Sequence, residues 1–126
     1  MITVHFVRAD GREAYSAGPT HWVRASDGWL EIGPDGWQIA HYCGGLWSID
    51  GHDLPKCIIH GSQCMAHFDA GAAPSDVQGP FEQIAFIDGS VYGQPGCHLL
   101  AHLNEQQRTW YSYEGQQSWP NLVVET

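Results

Sequence analysis

The sequence has 126 residues, of which 43% are hydrophobic and 15% are charged, so it fits one core-forming domain and not a disordered chain. Fourteen acidic residues against five basic ones give a formal net charge of −9, which disfavours binding to nucleic acid or to an anionic membrane. Fifteen glycines and seven prolines argue against a helical bundle.

Asp-Gly pairs recur between short apolar runs and predict an all-β fold built of hairpins. Asp-Gly occurs five times, and both residues tolerate the positive φ that tight hairpin turns require. A two-residue turn at Asp10-Gly11 would place Phe6 opposite Tyr15 and Arg8 opposite Glu13. The second pairing joins opposite charges across the strands.

The turn at Asp27-Gly28 gives the same kind of consistency. It places Arg24 opposite Glu31, with Trp22 and Trp29 on the face that carries this ion pair. The other face is apolar and is predicted to enter the core: it carries Val23, Ala25, Leu30 and Ile32. The repeated agreement of charge and apolar pattern supports the hairpin reading.

Pro34-Asp35-Gly36 is predicted to return the chain into a strand over Trp37–Tyr42. Ile32 would then face Trp37 and Leu30 would face Ile39, unless a bulge at Gly36 shifts the register by one residue. Residues 1–51 thus form an N-terminal meander. Four tryptophans are predicted to lie in the core: Trp37, Trp47, Trp110 and Trp119.

Gly61-Ser62 also resembles a hairpin turn, which would pair His60 with Gln63 and Ile59 with Cys64. Side chains alternate along strands, so this hairpin predicts one apolar face and leaves His60 and His67 on the other. The apolar face comprises Cys57, Ile59, Cys64, Ala66 and Phe68.

Residues 69–80 contain glycine and two prolines and are predicted to form a long loop before the C-terminal strands of residues 81–126. In the second half, a turn at Asp88-Gly89 would place Phe86 opposite Val91. Residues 98–108 favour a strand, a turn at 104–107 and a return strand, but a short helix is an alternative.

The predicted architecture is therefore a compact single domain over residues 1–126. Its meander of about ten short antiparallel strands would form a barrel or a two-layer sandwich. A homodimer formed through exposed strand edges is an open alternative.

The first candidate for chemistry is a metal site at Cys57-x2-His60-x3-Cys64-x2-His67, because thiolate and imidazole are the usual zinc ligands. The predicted hairpin places the two cysteines and the two histidines on opposite faces, so these four residues would not converge. Buried thiols behave as small hydrophobic groups, which is the alternative reading of the cysteines.

A second candidate is His67-Phe68-Asp69, followed by His98 or His102 and by Arg108. These few residues resemble the HxD…H…Arg pattern of the Fe(II)/2-oxoglutarate oxygenases. That resemblance implies an iron site made by His67, Asp69 and one of the later histidines. We expect no cofactor, because the sequence lacks the nucleophile-elbow, phosphate-loop and HExxH motifs.

The aromatic face of the Asp27-Gly28 hairpin is the preferred candidate. Six tryptophans are many for this length, and Trp22, Arg24, Trp29 and Glu31 are predicted to share one face. Such a face either binds a protein partner or small ligand, or packs beneath another layer. We therefore predict a non-enzymatic acidic binding module that binds through this face.

Two other functions remain open: a metal-dependent enzyme with a His/Asp/His site, and an acidic inhibitor of a nucleic-acid-binding protein. The first residues lack the charged start and apolar run of a secretory signal, so we expect a cytoplasmic location and reduced cysteines. The small acidic chain also fits proteins of phage or mobile elements.

Overall fold

A computed structural model describes residues 1–70, 74–113 and 117–126, the side chains of 74 and 75 excepted. The fold is all-β, with fourteen strands in one antiparallel, largely meandering sheet and no helix among the described residues. None of these residues forms a helix that could cross a membrane.

The strands, in chain order, are β1 (Ile2–Val7), β2 (Glu13–Thr20), β3 (Trp22–Ser26), β4 (Trp29–Ile32), β5 (Trp37–Cys43), β6 (Leu46–Ile49), β7 (His52–Leu54), β8 (Lys56–Asp69), β9 (Pro74–Ile87), β10 (Ser90–Gln94), β11 (His98–Asn104), β12 (Thr109–Ser112), β13 (Gln117–Trp119) and β14 (Asn121–Glu125).

Two strands of 14 residues each, β8 and β9, form the middle of the sheet. Strands β10 to β13 continue the meander from β9. On its other edge, β8 pairs with β1 near its start and with β14 near its end, and β14 leads on to β3 through β7. Over the described residues the sheet does not close, so the predicted barrel is wrong, and fourteen strands are present there where about ten were expected.

A chain of aromatic rings fills the core and joins strands that are far apart in the sheet. Trp47 of β6 lies with its ring centroid 6.2 Å from that of Phe6 and 5.8 Å from that of Phe86. Trp110 of β12 lies 5.6 Å from Phe86, and its indole N–H donates to the carbonyl of Ala25, 3.1 Å away. The strands on both sides of β8 and β9 therefore pack against the same core.

The register of the β3–β4 hairpin is as predicted: Arg24 lies opposite Glu31, and Val23 lies opposite Ile32. The Phe86–Val91 pairing across the β9–β10 turn is also confirmed. Residues 98–104 and 109–112 are strands, so the strand–turn–strand prediction is confirmed and the short helix near 98–108 is wrong.

The β1–β2 hairpin differs from its prediction near the turn. Phe6 faces Tyr15 as expected, but the register then shifts and Val7 faces Glu13. The N–H of Arg8 donates to the carbonyl of Arg12, so three residues form the loop, and Arg8 does not meet Glu13. A three-residue loop of this kind ends on a residue with positive φ, here Gly11 at +91°.

A bulge also shifts the β4–β5 pairing. Ile32 faces Trp37 as predicted, but Leu30 faces Ala40 and not Ile39, because the irregularity lies inside β5 and not at Gly36. Trp37 then stands at the start of its strand with 68% of its surface exposed. The prediction that Trp37 is a core residue is therefore wrong, whereas Trp47 and Trp110 are buried and Trp119 packs partly buried against the core.

The predicted hairpin at Gly61-Ser62 is wrong, because β8 runs through it without turning. A Cβ at Gly61 would lie 2.6 Å from the side chain of Ile2, so glycine serves close packing here. The pairing of β8 with β9 is irregular between His60 and Cys64. This irregularity changes the buried positions of β8 from odd-numbered residues before it to even-numbered residues after it. The predicted apolar set is buried, as expected: Cys57, Ile59, Cys64, Ala66 and Phe68.

The predicted loop over residues 69–80 is also wrong over most of its length, because β9 begins at Pro74. Gly79 has φ +133°, and a Cβ there would lie 2.8 Å from the carbonyl oxygen of Cys64. Glycine thus lets the two long strands approach closely at a sequence that resembles a loop. Residues 71–73 lie outside the described part of the chain.

Candidate functional site

The outer face of the β3–β4 hairpin carries the predicted ion pair. The Nε of Arg24 donates to Oε1 of Glu31, 3.1 Å away. The guanidinium carbon of Arg24 also lies 5.5 Å from the ring centroid of Trp22. Indole, guanidinium and carboxylate thus form one half-buried cluster, which combines a cation–π contact with an ion pair.

Trp29 lies on the same face but contacts a different neighbour. Its ring packs edge-on against His41 of β5, with 4.7 Å between the ring centroids. Trp29 and Trp22 are both partly buried, so neither ring presents its full surface to solvent. The predicted aromatic face is therefore half-buried and not fully open.

Trp22 supports the turn that joins β4 to β5. A Cβ on Gly33 would overlap the Trp22 indole, so the ring lies directly against that glycine. The N–H of Gly33 donates to the carbonyl of Trp22 at 3.0 Å, and Oγ1 of Thr20 donates to the carbonyl of Gly33 at 2.5 Å. These bonds hold the turn in one position.

Beside this turn lies a recess of about 200 Å³, which we name the Trp37 recess. It is lined by Ile32, Gly33, Pro34, Asp35 and Trp37. Trp37 is the most exposed of the large hydrophobic side chains in the described chain, and Asp35 is exposed beside it. The recess therefore combines an open indole, a proline ring and a carboxylate on a fixed turn.

The electrostatic character of this region is negative. Residues 22–43 contain one basic residue, Arg24, against the three acids Asp27, Glu31 and Asp35. Arg24 is already paired with Glu31, and Asp27 is paired with Arg108 at the opposite end of β4. No ion pair involves Asp35 within the described ranges, so its carboxylate gives the recess a negative charge.

The residues of the predicted iron site each contact a different neighbour. Nε2 of His67 is 3.0 Å from Oε1 of Glu125. Oδ1 of Asp69 accepts a hydrogen bond from Nδ2 of Asn121 at 3.1 Å. His98 is exposed on β11, with its ring 6.1 Å from that of Phe81.

His102, the alternative iron ligand, also has other partners. It stacks on Tyr111, and its Nδ1 lies 2.9 Å from the hydroxyl of Tyr113. Across residues 1–70, 74–113 and 117–126, no three His, Cys, Asp or Glu side chains lie close enough together to hold a metal ion. The structure therefore does not bring the predicted iron ligands together.

The cysteines and histidines of the predicted zinc motif also stay apart. Cys57 and Cys64 lie in the core, where burial raises the pKa of both thiols, whereas His60 is exposed. All four cysteines are free thiols, and Cys43 and Cys97 are exposed. The alternative reading of the two buried cysteines as small hydrophobic groups matches this placement.

A larger, shallow groove of about 390 Å³ lies between β9 and β11. Its lining is mostly aliphatic and amide, with Leu99 and Val77 exposed and His98 as the ionisable side chain. The Trp37 recess differs in having a carboxylate and a solvent-exposed indole on a hydrogen-bonded turn. The sequence pattern predicts Trp37 as a core residue and does not mark Pro34 or Asp35 as site residues, although all three adjoin a predicted turn.

Comparisons with protein-family models, with curated proteins and with solved structures gave no match to this chain. We therefore infer its function from the geometry and chemistry of its own residues.

Proposed function

We propose that this chain is a non-enzymatic binding module that holds a protein partner at the Trp37 recess and the adjoining Trp22–Arg24–Glu31 cluster. The observation that carries the proposal is the 68% exposure of the Trp37 side chain beside a recess whose turn is fixed by hydrogen bonds. Tryptophan is enriched among the few residues that dominate the energy of protein interfaces.

Preorganisation supports this reading. Ordering a flexible loop on binding costs free energy, and a turn already held by Thr20, Trp22 and Gly33 avoids most of that cost. Trp22 acts as the support beneath the turn, and Trp37 and Pro34 provide the contact surface. The ligand would thus meet a nearly rigid surface.

The size of the recess favours a protein side chain over a free small molecule. Pockets for small molecules usually enclose roughly 300–1,000 Å³. The Trp37 recess, at about 200 Å³, is smaller than this range. It suits one side chain inserted from a larger partner surface.

The chemistry of the recess also favours binding. Asp35 is the one ionisable side chain of its lining, and the lining contains no hydroxyl or thiol nucleophile. Nucleophilic catalysis requires a nucleophile within hydrogen-bonding reach of a base. Asp35 has no second ionisable side chain beside it in the lining, so the recess is better equipped for binding than for catalysis by a nucleophile–base pair.

The test is a quantitative affinity capture from lysate with the wild-type chain, Trp37→Ala and Tyr113→Ala. Tyr113 is a matched control, because it is another exposed aromatic residue, at 45%, outside the recess. We expect at least one protein to be retained by the wild type and Tyr113→Ala but lost with Trp37→Ala. Equal recoveries with all three chains, at equal melting temperatures, would reject the proposal.

A further inference from the structure

We infer that the partner presents a basic segment, with one arginine or lysine side chain over the Trp37 indole and paired with Asp35. This inference rests on the proposed function and specifies the chemistry of its partner. The occupant is a positively charged protein side chain, and neutral or acidic segments are the alternatives that the experiment separates.

The chain itself contains an arrangement of indole, cation and carboxylate. At the Trp22–Arg24–Glu31 cluster, a guanidinium lies 5.5 Å from an indole centroid and 3.1 Å from a carboxylate oxygen. The Trp37 recess presents an indole and a carboxylate within one cavity lining, but its lining contains no cation. A partner's cationic side chain would supply the third group of the same arrangement.

The cations near this hairpin do not neutralise Asp35. Arg24, the one basic residue of 22–43, pairs with Glu31, and Arg108 pairs with Asp27 at the other end of β4. A cation entering the recess would therefore find a carboxylate with no competing ion pair in the described chain. The cation–π contact with the exposed face of Trp37 would add to this attraction.

The charge of the whole chain also favours a basic partner. Its formal net charge of −9 attracts a basic partner and repels an acidic one over distances comparable with the Debye length. Such complementarity mainly raises the association rate and makes binding sensitive to salt. The local recess then supplies the selectivity that the diffuse charge cannot.

The experiment is a calorimetric titration with three acetylated peptides that share one glycine–serine framework. The same three positions carry arginine in the first peptide, glutamine in the second and glutamate in the third. We expect the arginine peptide to bind most tightly, and added salt to weaken it. Trp37→Ala should weaken the arginine peptide about tenfold, which is the upper part of the range for a cation–π contact.

Two charge-matched variants separate the recess from the diffuse charge. Asp35→Asn and Asp50→Asn remove the same charge from exposed turns, but Asp50 lies in the β6–β7 turn. We expect Asp35→Asn to raise the dissociation constant of the arginine peptide about threefold or more. Asp50→Asn should raise it by less than half of that fold-change. Equal losses in both variants would mean nonspecific attraction and would overturn the inference.

The remaining outcomes distinguish the two proposals. In one outcome, capture of a protein depends on Trp37 but the wild-type chain does not bind the arginine peptide. The basic partner is then wrong, and the binding function stands. If the glutamine peptide binds as tightly as the arginine peptide, the inference fails in the same way. If Trp37→Ala changes neither capture nor peptide binding, both proposals fail together.

Discussion

The rings of the core and the rings at the β4–β5 turn are the same residue types in opposite surroundings. Trp47 is 2% exposed and contacts Phe6 and Phe86, whereas Trp37 is 68% exposed beside a recess. Trp47 lies within β6, whereas Trp37 is the first residue of β5, a strand that pairs with β4 and β6. The residue type is the same, so the place of each ring in its strand, and not its chemistry, distinguishes the buried ring from the exposed ring that we propose binds a partner.

The two surroundings also predict that these rings contribute differently to the free energy of unfolding. A fully buried aromatic side chain removes roughly 150–250 Å² from water and supports the fold. An exposed ring contributes little to folding, and its apolar surface is available to the proposed partner. Trp22 lies between these cases, because it is partly buried and supports the turn beneath the recess.

The largest effect is expected at Trp47. Trp47→Ala should lower the free energy of unfolding by about 3–5 kcal/mol, because it leaves a cavity among the core rings. Trp37→Ala should change it by less than about 0.5 kcal/mol, as is usual for exposed positions. Urea denaturation measures both, and comparable losses in the two variants would break the distinction between core and turn.

A smaller loss is expected at the support of the recess. Gly33→Ala should cost about 1–3 kcal/mol, because the new methyl group overlaps the Trp22 indole. In Gly33→Ala combined with Trp22→Ala the overlap disappears, so the double variant should lose less than the sum of the single losses. Strict additivity in urea denaturation would show that Trp22 does not support the turn.

A smaller effect again is expected at alkaline pH, from the core. Burial, followed by the charges of Glu105 and Asp88, raises the pKa of Tyr42 from 10.0 to about 12. The unfolded chain therefore releases this proton first, and the stabilisation is complete below pH 10 and is lost as the pH rises towards 12.

Tyr42→Phe removes this titration. Measured as the free energy of unfolding against pH, the variant should lose less stability between pH 10 and 12 than the wild type does. Parallel curves for the two chains would show that Tyr42 does not ionise differently in the folded and unfolded states.

The smallest perturbation is a thiol titration, which leaves the fold intact. Cys43 and Cys97 are exposed, whereas Cys57 and Cys64 are buried with raised pKa values. A thiol reagent at neutral pH should modify two cysteines rapidly in the native chain and all four in denaturant. Rapid modification of Cys57 or Cys64 in the native chain would place them outside the core.

Some of the fold was predictable because local turn chemistry determines strand register. Asp27-Gly28 is a tight turn with both residues at positive φ, and the pairing of Arg24 with Glu31 follows from it. The long strands β8 and β9 were not predictable in this way. Gly61 packs closely against Ile2, and Gly79 packs closely against Cys64. These contacts join residues that are distant in sequence or that meet only through strand pairing, so a local pattern does not show them.

The site was predictable in part for the same reason. The face of Trp22, Arg24 and Glu31 follows from alternation along one hairpin. The alternation pattern does not give the bulge inside β5, and it does not distinguish an exposed ring at the start of a strand from a buried ring within one. A turn with an adjoining tryptophan was the available signal.

The most direct test is a nitrogen–proton NMR titration that follows the six tryptophan indole N–H signals while the arginine peptide is added. The Trp37 signal should move most and the Trp22 signal less, whereas those of Trp47 and Trp110 should remain in place. A stationary Trp37 signal at a peptide concentration that saturates binding, or a larger shift at Trp47 or Trp110, would contradict the assignment of the recess as the binding surface.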